Sequence, residues 1–170
     1  NKVKVTDYSE LLNLSSRLLR EGEVIATKGI GGYHLICDAR NEKAVSRLRE
    51  VKQRDGKPFA VLFRDIENIR RYVFSNGVEE KALLSWRRPI VLLKQLRLLA
   101  SSVNPGMETL GCMLPYMPIH SDWFEQLDTP VLVMTSGNIS ECPIAITPEE
   151  AEKQLAGKVP LLLHHNREIH

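Results

Sequence analysis

The chain has 170 residues, 43% hydrophobic and 26% charged, a composition that indicates one globular domain and excludes a disordered chain. Its formal net charge of +2 is too small to indicate a nucleic-acid partner. Three cysteines without CxxC spacing, together with the absence of a signal peptide or a membrane-length apolar run, predict a cytoplasmic protein. Because the chain starts at Asn1 and its end looks cut, we expect residues 1–170 to be a single domain excised from a longer multidomain chain.

Capping signals place the predicted helices. An Asp, Asn or Thr before an apolar stripe, or a proline at the first helical position, marks a helix start. By these signals helices start at Asp7, Asn41, Asp65, Asn76, Pro118 and Thr147. We expect the helix after Asn41 to continue until Gly56, because glycine commonly ends helices and Pro58 would break this one.

Short apolar runs place the predicted strands. These runs cover residues 24–27, 33–37, 59–63, 90–93, 131–135 and 161–164, with a brief extended piece at 113–115. The first two are expected to pair with each other. Residues 96–109 are predicted to be irregular, since they contain the turn signal Asn104-Pro105-Gly106. Strands and helices that alternate irregularly predict an α/β fold, a mixed, twisted and open β-sheet flanked by helices.

The first candidate site is the basic turn that contains Lys52, Arg54 and Lys57. Three cations close in sequence repel one another, so a phosphate-bearing ligand that gathers them would gain several charge-assisted hydrogen bonds. The alternative is a solvated basic helix end, which the helix dipole favours without any ligand.

Two further candidate loops follow predicted strands, where ligands bind in open α/β sheets. Residues 28–32, KGIGG, could bring backbone N–H groups close to a phosphate or could form a simple hairpin turn. Residues 135–138, TSGN, offer hydroxyl and amide groups or form an ordinary turn. The chain has no HExxH or GxSxG motif, so we predict neither a metal held by protein ligands nor a hydrolase nucleophile.

Several segments, in order, resemble the YrdC-like domain of HypF-type carbamoyltransferases, which act in nickel–iron hydrogenase maturation. They are GYHLICDARNEKAVSRLREVKQRDGKPFAVL, RRPIVLL, GCMLPYMPIH, LVMTSGNISECPIA and LHHNREIH, and the resemblance covers about Gly22 to His170. Related threonylcarbamoyl-adenylate synthases typically have Thr-x-Thr-x-Tyr-Gly-Leu at positions 29–35 and Ser-Ala-Asn at 136–138. One departure from the HypF pattern is Glu141, which stands in place of a glycine and is followed by Cys142.

The resemblance implies a concave site that forms carbamoyl-adenylate from carbamate and ATP, with Mg²⁺. Its Lys-x-Arg and Ser-x-Asn signature matches four residues in catalytic and ATP-binding roles: Lys52, Arg54, Ser136 and Asn138. Lys57 and Thr135 are expected to assist ATP binding. The expected wall of the carbamate pocket is Lys28, Gly31, Gly32, Tyr33 and His34. In full-length family members other domains supply the carbamate, and a Kae1-like domain passes the carbamoyl group to a HypE-type acceptor protein.

Two alternative functions compete with this one. The first is threonylcarbamoyl-adenylate synthesis for tRNA modification, although the chain lacks the usual Thr-rich loop. The second is a non-catalytic module that binds RNA, which the small net charge and the missing RNP-type aromatic motif support little.

We expect Lys52–Arg54 and Ser136–Asn138 to meet across one cleft at a rim of the sheet. Their side chains should be separated by about one triphosphate, on the order of 10 Å, because cations hold a triphosphate while directional groups orient it. Since Lys52 and Arg54 are expected on a helix end and turn, their replacement by Ala should weaken ATP binding and leave the fold intact.

Overall fold

The computed structural model describes residues 5–54, 56–139 and 142–169, which contain six helices and eight strands. The helices are α1 (Tyr8–Arg20), α2 (Glu42–Lys52), α3 (Ile66–Tyr72), α4 (Gly77–Leu84), α5 (Pro118–Gln126) and α6 (Pro148–Leu155). All six predicted helix starts are confirmed, since five predicted caps accept a hydrogen bond from a backbone N–H in the first turn and α5 opens with Pro118. Among these helices none is long and apolar enough to cross a membrane.

The strands form one mixed, open sheet, as predicted. They are β1 (Ile25–Lys28), β2 (Tyr33–Asp38), β3 (Ala60–Phe63), β4 (Val73–Phe74), β5 (Val91–Gln95), β6 (Thr109–Met113), β7 (Val131–Ser136) and β8 (Leu162–Leu163). Their order across the sheet is β4-β5-β6-β3-β7-β2-β1-β8. The pairs β1–β8 and β3–β6 are parallel and the others are antiparallel. The predicted pairing of the first two strands is confirmed.

Both faces of the central strands are buried, so these strands read as continuous apolar runs in the sequence. Alternate residues point to opposite faces. On one face, strand residues such as Leu35 and Val133 pack in a core with Leu48 of α2. On the other face, Ile36 and Leu132 pack in a second core with residues of α1 and α5. The sheet is therefore the middle layer of a three-layer sandwich.

The structure corrects two element boundaries and adds one strand. Helix α2 ends at Lys52 rather than at Gly56, because Gln53 already adopts a left-handed backbone (φ 51°) and its N–H caps the helix. The extended piece predicted at 113–115 is instead strand β6 (Thr109–Met113), which begins at the last residue of the segment predicted as irregular and pairs with both β3 and β5. Strand β4 has only two residues, too few for a periodic pattern in the sequence.

Candidate functional site

The Lys52 ammonium group lies among oxygen atoms at the end of β7. Lys52 is the last residue of α2, yet it is only 2% exposed. Its Nζ donates to Ser136 Oγ at 3.3 Å, Asn138 O at 2.9 Å, Asn138 Oδ1 at 3.1 Å and the Ser136 carbonyl oxygen. Ser136 Oγ in turn donates to Asn138 Oδ1 at 2.7 Å. We call Lys52, Ser136 and Asn138 the Lys52 cluster.

The two predicted motifs thus lie together at one rim of the sheet, as expected. The expected separation, on the order of 10 Å for one triphosphate, is wrong for Lys52, because its ammonium touches the Ser136–Asn138 loop directly. Lys52 does lie at a helix end, as expected, but its side chain is directed inward and buried, because the αL residue Gln53 ends the helix directly after it. Lys52 and the Ser136–Asn138 loop thus leave no gap of triphosphate length between them.

Gly137 lets the loop after β7 pack closely against β2, which brings Ser136 and Asn138 to Lys52. Its N–H donates to the Tyr33 carbonyl oxygen. A Cβ at position 137 would lie 2.7 Å from both the carbonyl carbon and Cβ of Tyr33, closer than real side chains come. Only glycine fits here without a backbone shift, so this contact fixes where Ser136 and Asn138 lie.

Burial, and after it the charge of Arg54, lowers the pKa of Lys52 to about 8. Four oxygen acceptors still favour the ammonium form, and at pH 7 most Lys52 side chains carry the charge. The cluster thus presents a positive charge that is poorly solvated. A bound anion would restore the solvation that burial removes.

Arg54 and Lys57 lie beside the cluster in different ways. Arg54 is half-buried along the turn: its Nη2 donates to Pro58 O at 3.2 Å, and its buried Nε has no hydrogen-bond partner within the described part of the chain. Lys57 is exposed. The turn is held by Arg49, whose Nη1 donates to the carbonyl oxygens of Arg54 at 3.2 Å and Lys57 at 3.1 Å.

A cleft of about 720 Å³ adjoins the Lys52 cluster. Its walls include Gly31, His34, Trp86, Arg87, Arg88 and Tyr116. His34 and Ser136 are opposite each other in the β2–β7 register, so their side chains stand next to each other on one face of the sheet. Thr135, the next residue back, points to the opposite face, where Leu35 is its partner. The cluster and the cleft therefore share a border, which His34 forms.

The predicted carbamate wall is divided by the structure. Gly31 and His34 line the cleft. Lys28 is buried, and its Nζ donates to the carbonyl oxygens of Arg167 at 2.6 Å and His165 at 3.3 Å. The Tyr33 hydroxyl is hydrogen-bonded to His164 Nδ1, and Gly32 packs against Ile144.

The KGIGG segment is the hairpin turn of β1 and β2, with Gly29 N donating to Gly32 O at 2.8 Å. Lys28 and Tyr33 consequently hold the segment after β8 instead of facing the cleft. The hairpin places only its tip and His34 on the cleft side.

Ring side chains pack together at the part of the cleft wall that His34 and Tyr116 form. The Tyr116 hydroxyl lies 3.2 Å from His34 Nε2, and the Tyr116 ring meets the edge of His120 with centroids 4.6 Å apart. His120 stacks on Trp123, and within the described residues neither of its ring nitrogens has a hydrogen-bond partner. Burial lowers the pKa of His34, and it lowers the pKa of His120 to about 3. Both imidazoles are uncharged at pH 7.

Sequence reasoning gave no role to three residues of the cleft, Arg87, Arg88 and Tyr116. The two arginines form an adjacent pair before Pro89 in the sequence. Their position in the cleft could not be predicted, because Arg88 reaches it through a left-handed backbone (φ 44°), which non-glycine residues seldom adopt. They add two permanent positive charges to the cleft wall.

The loop after Asn138 is partly described. Glu141, the departure from the family pattern, lies outside the described residues. Beyond it, Cys142 N donates to Ile139 O at 3.0 Å, and Asn138 Nδ2 donates to Cys142 O at 2.6 Å. The side chain of Asn138 is thus oriented from both sides, by Lys52 and by this turn.

Comparisons with known proteins identify the family of this chain. The Sua5/YciO/YrdC family model, described as telomere recombination, matches residues 17–170. A carbamoyltransferase HypF from Rhodobacter capsulatus is 41% identical over 160 residues, which are 94% of this chain and 21% of that protein. A putative threonylcarbamoyl-AMP synthase from Methanocaldococcus jannaschii is 25% identical over 92% of this chain and 74% of its own length.

A solved HypF structure has the same fold. Full-length HypF in a phosphate- and nucleotide-bound form has a TM-score of 0.90 and 46% identity, over 93% of this chain and 25% of that one. The chain spans about a fifth of the length of the HypF relatives it matches. The family match, the HypF relatives and the shared fold together show that the chain belongs to the Sua5/YciO/YrdC family, in the form found within HypF carbamoyltransferases.

Proposed function

We propose that this chain forms carbamoyl-adenylate and pyrophosphate from carbamate and ATP, as the YrdC-like part of a HypF-type carbamoyltransferase. The observation that carries the proposal is the Lys52 cluster, a buried cation with directional hydroxyl and amide groups, which lies next to His34 of the cleft wall. Relatives named as carbamoyltransferases and a nucleotide-bound structure of one of them support the choice of substrates.

The reaction needs charge stabilisation more than covalent chemistry. A carbamate oxygen forms a bond to the α-phosphorus of ATP, and the bond from that phosphorus to the bridging oxygen of pyrophosphate breaks. Negative charge stays on the phosphates, where Lys52 and Arg54 would neutralise it. Ser136 and Asn138 would orient the α-phosphate by hydrogen bonds. The cleft would also shield carbamate, which decomposes in water.

Mg²⁺ would bind to this site mainly through the triphosphate. The protein oxygens in the Lys52 cluster already accept hydrogen bonds from Lys52. The described residues contain no group of three or more His, Cys, Asp or Glu side chains arranged to hold an ion. Mg²⁺ commonly retains waters and substrate phosphates as most of its ligands. The roles assigned to Lys52, Arg54, Ser136 and Asn138 do not depend on it.

The wider role is proposed from the relatives. Since the chain matches about a fifth of each HypF relative, other parts of such a protein would release carbamate and transfer the carbamoyl group to a HypE-type acceptor. This would place the chain in the cytoplasm, in hydrogenase maturation. The free thiols of Cys37, Cys112 and Cys142 are consistent with a reducing compartment.

Pyrophosphate release tests the proposal. The 170-residue chain is supplied with ATP, Mg²⁺ and carbamate, generated from carbamoyl phosphate by an added acylphosphatase. We expect release that depends on carbamate and is lost in Lys52→Met. The matched control is Lys43→Met, which removes an exposed lysine from the other end of the same helix.

The second candidate is threonylcarbamoyl-adenylate synthesis, which the 25% identical relative named for that activity favours. The same assay separates the two reactions when threonine and bicarbonate replace carbamate. Faster pyrophosphate release with threonine would reverse our ranking. Binding of an RNA hairpin without release from either substrate would favour a non-catalytic module instead.

A further inference from the structure

His34 borders both the Lys52 cluster and the cleft. It stands opposite Ser136 in the register of β2 and β7 and also lines the cleft. Ser136 is also a hydrogen-bond partner of Lys52, so His34 and Lys52 are both next to this residue. An acyl substrate whose carboxylate lies at the cluster and whose remaining atoms extend into the cleft would therefore pass beside His34.

His34 is held firmly in this position. The Tyr116 hydroxyl lies 3.2 Å from its Nε2. The ring also packs against Gly29, where a Cβ would lie 2.5 Å from the imidazole Cδ2 and 2.7 Å from Nε2. The glycine leaves just enough room for the ring. The imidazole is fixed between the hairpin and Tyr116, so it cannot swing aside without breaking one of these contacts.

The ring is also uncharged at neutral pH, because it is largely buried and faces the positive charge of Lys52. It does not add to the cationic wall that attracts phosphate. Its main effect on an incoming acyl group is the volume it occupies. His34 would therefore act by its size, whereas Lys52 and Arg54 would act by their charge.

We propose that His34 is a specificity-determining residue that restricts the acyl substrate to unsubstituted carbamate. The inference rests on the proposed function. The small amino group of carbamate fits beside the imidazole. A carbamate whose nitrogen carries an amino-acid residue needs the space that the imidazole and its methylene group fill. Removal of the ring joins this space to the cleft and admits the larger substrate.

The test compares pyrophosphate release from ATP with two acyl sources in wild type, His34→Gly and His34→Ala. One source is carbamoyl phosphate with acylphosphatase, and the other is L-threonine with bicarbonate. We expect the threonine-to-carbamate rate ratio to rise at least about tenfold in His34→Gly, with a smaller rise in His34→Ala, as size-based discrimination usually gives. His164→Ala is the matched control, since His164 contacts Tyr33 rather than the cleft, and its ratio should stay at the wild-type value.

An unchanged ratio in a His34→Gly variant that still uses carbamate would overturn the proposal. If this variant releases pyrophosphate from neither source, calorimetric titration with L-threonine and bicarbonate in the presence of ATP decides. Binding gained over wild type supports the steric role, and no gain refutes it. Absence of carbamate-dependent release from wild type is a separate result, because it rejects the proposed function itself.

Discussion

At the residue scale, Lys52 has two roles that its place in the sequence conceals. It is predicted to bind phosphate, and it also satisfies four oxygen acceptors. We therefore expect Lys52→Ala to lose ATP binding and, contrary to the sequence-based expectation, to destabilise the fold by roughly 1 kcal/mol, because half-buried acceptors of Ser136 and Asn138 lose their charged donor. Thermal unfolding and ATP calorimetry would measure both effects.

Arg54→Ala is the contrasting variant, because among the described residues the Arg54 side chain donates one hydrogen bond, to the Pro58 carbonyl oxygen, and its Cζ lies 5.4 Å from the Phe59 ring centroid. It should weaken ATP binding with a change in stability below about 1 kcal/mol. Unchanged ATP affinity in both variants would remove the basic turn from the site. Equal stability of Lys52→Ala and wild type would show that the cluster contacts contribute little to folding.

The lowered pKa of Lys52 should make ATP affinity depend on pH. The side chain has a pKa of about 8, so it loses its charge as the pH rises through 8. ATP affinity should therefore fall above pH 8, by at most about tenfold per pH unit for one group. Calorimetric titrations between pH 6.5 and 9.5 would measure the slope. In Lys52→Arg, whose guanidinium stays protonated, this dependence should be absent; its persistence there would assign the titration to another group.

At the scale of secondary-structure elements, the contact between Gly137 and Tyr33 joins β2 to the end of β7. A methyl group at position 137 would lie 2.8 Å or less from backbone and side-chain atoms of Tyr33. We expect Gly137→Ala to cost about 1–3 kcal/mol, the usual range for overpacking, and to lower the melting temperature by several degrees. Differential scanning calorimetry would measure the shift.

Gly31→Ala is the control for this change. Gly31 lies in the neighbouring hairpin, and no described atom lies within 4 Å of a methyl group added there. The melting temperature of the Gly31→Ala variant should therefore stay close to that of wild type. Equal melting temperatures for both variants would mean that the loop after β7 can move away from Tyr33 at little cost.

At the scale of the whole molecule, protonation of His120 makes the free energy of unfolding depend on pH. Burial lowers its pKa in the folded protein to about 3, whereas the unfolded chain has the ordinary value near 6.5. Between these values the unfolded state binds more protons, so stability falls as the pH falls through this window. The contribution is about 1.4 kcal/mol per pH unit below 6.5.

His120→Phe keeps a ring against Trp123 and Tyr116 but cannot take up a proton. Between pH 7 and pH 5 the variant should therefore lose about 2 kcal/mol less stability than wild type, by urea denaturation. His34, whose pKa is also lowered, remains in the variant and leaves a residual slope. Parallel pH profiles for the two proteins would contradict the assignment to His120.

The sequence by itself determined the helix starts, most of the strands and the family. Caps such as Asp7 and Asn76 act within four residues, so their effect can be read locally. The run Val131–Thr135 signals a strand buried on both faces, whatever its neighbours are. The Lys-x-Arg and Ser-x-Asn patterns were sufficient to predict that Lys52 and Ser136 belong together, because each supplies what the other lacks for phosphate binding.

Only the tertiary structure decided which way the side chains of the site point. His34 and Tyr33 are adjacent in sequence, yet His34 lines the cleft and Tyr33 contacts His164. Strand residues alternate between faces, and the register that pairs His34 with Ser136 joins segments about a hundred residues apart. The burial of Lys52 likewise depends on a left-handed residue after the helix and on a loop from the far end of the chain. Such contacts are fixed by pairing and packing across the sheet, which no local pattern encodes.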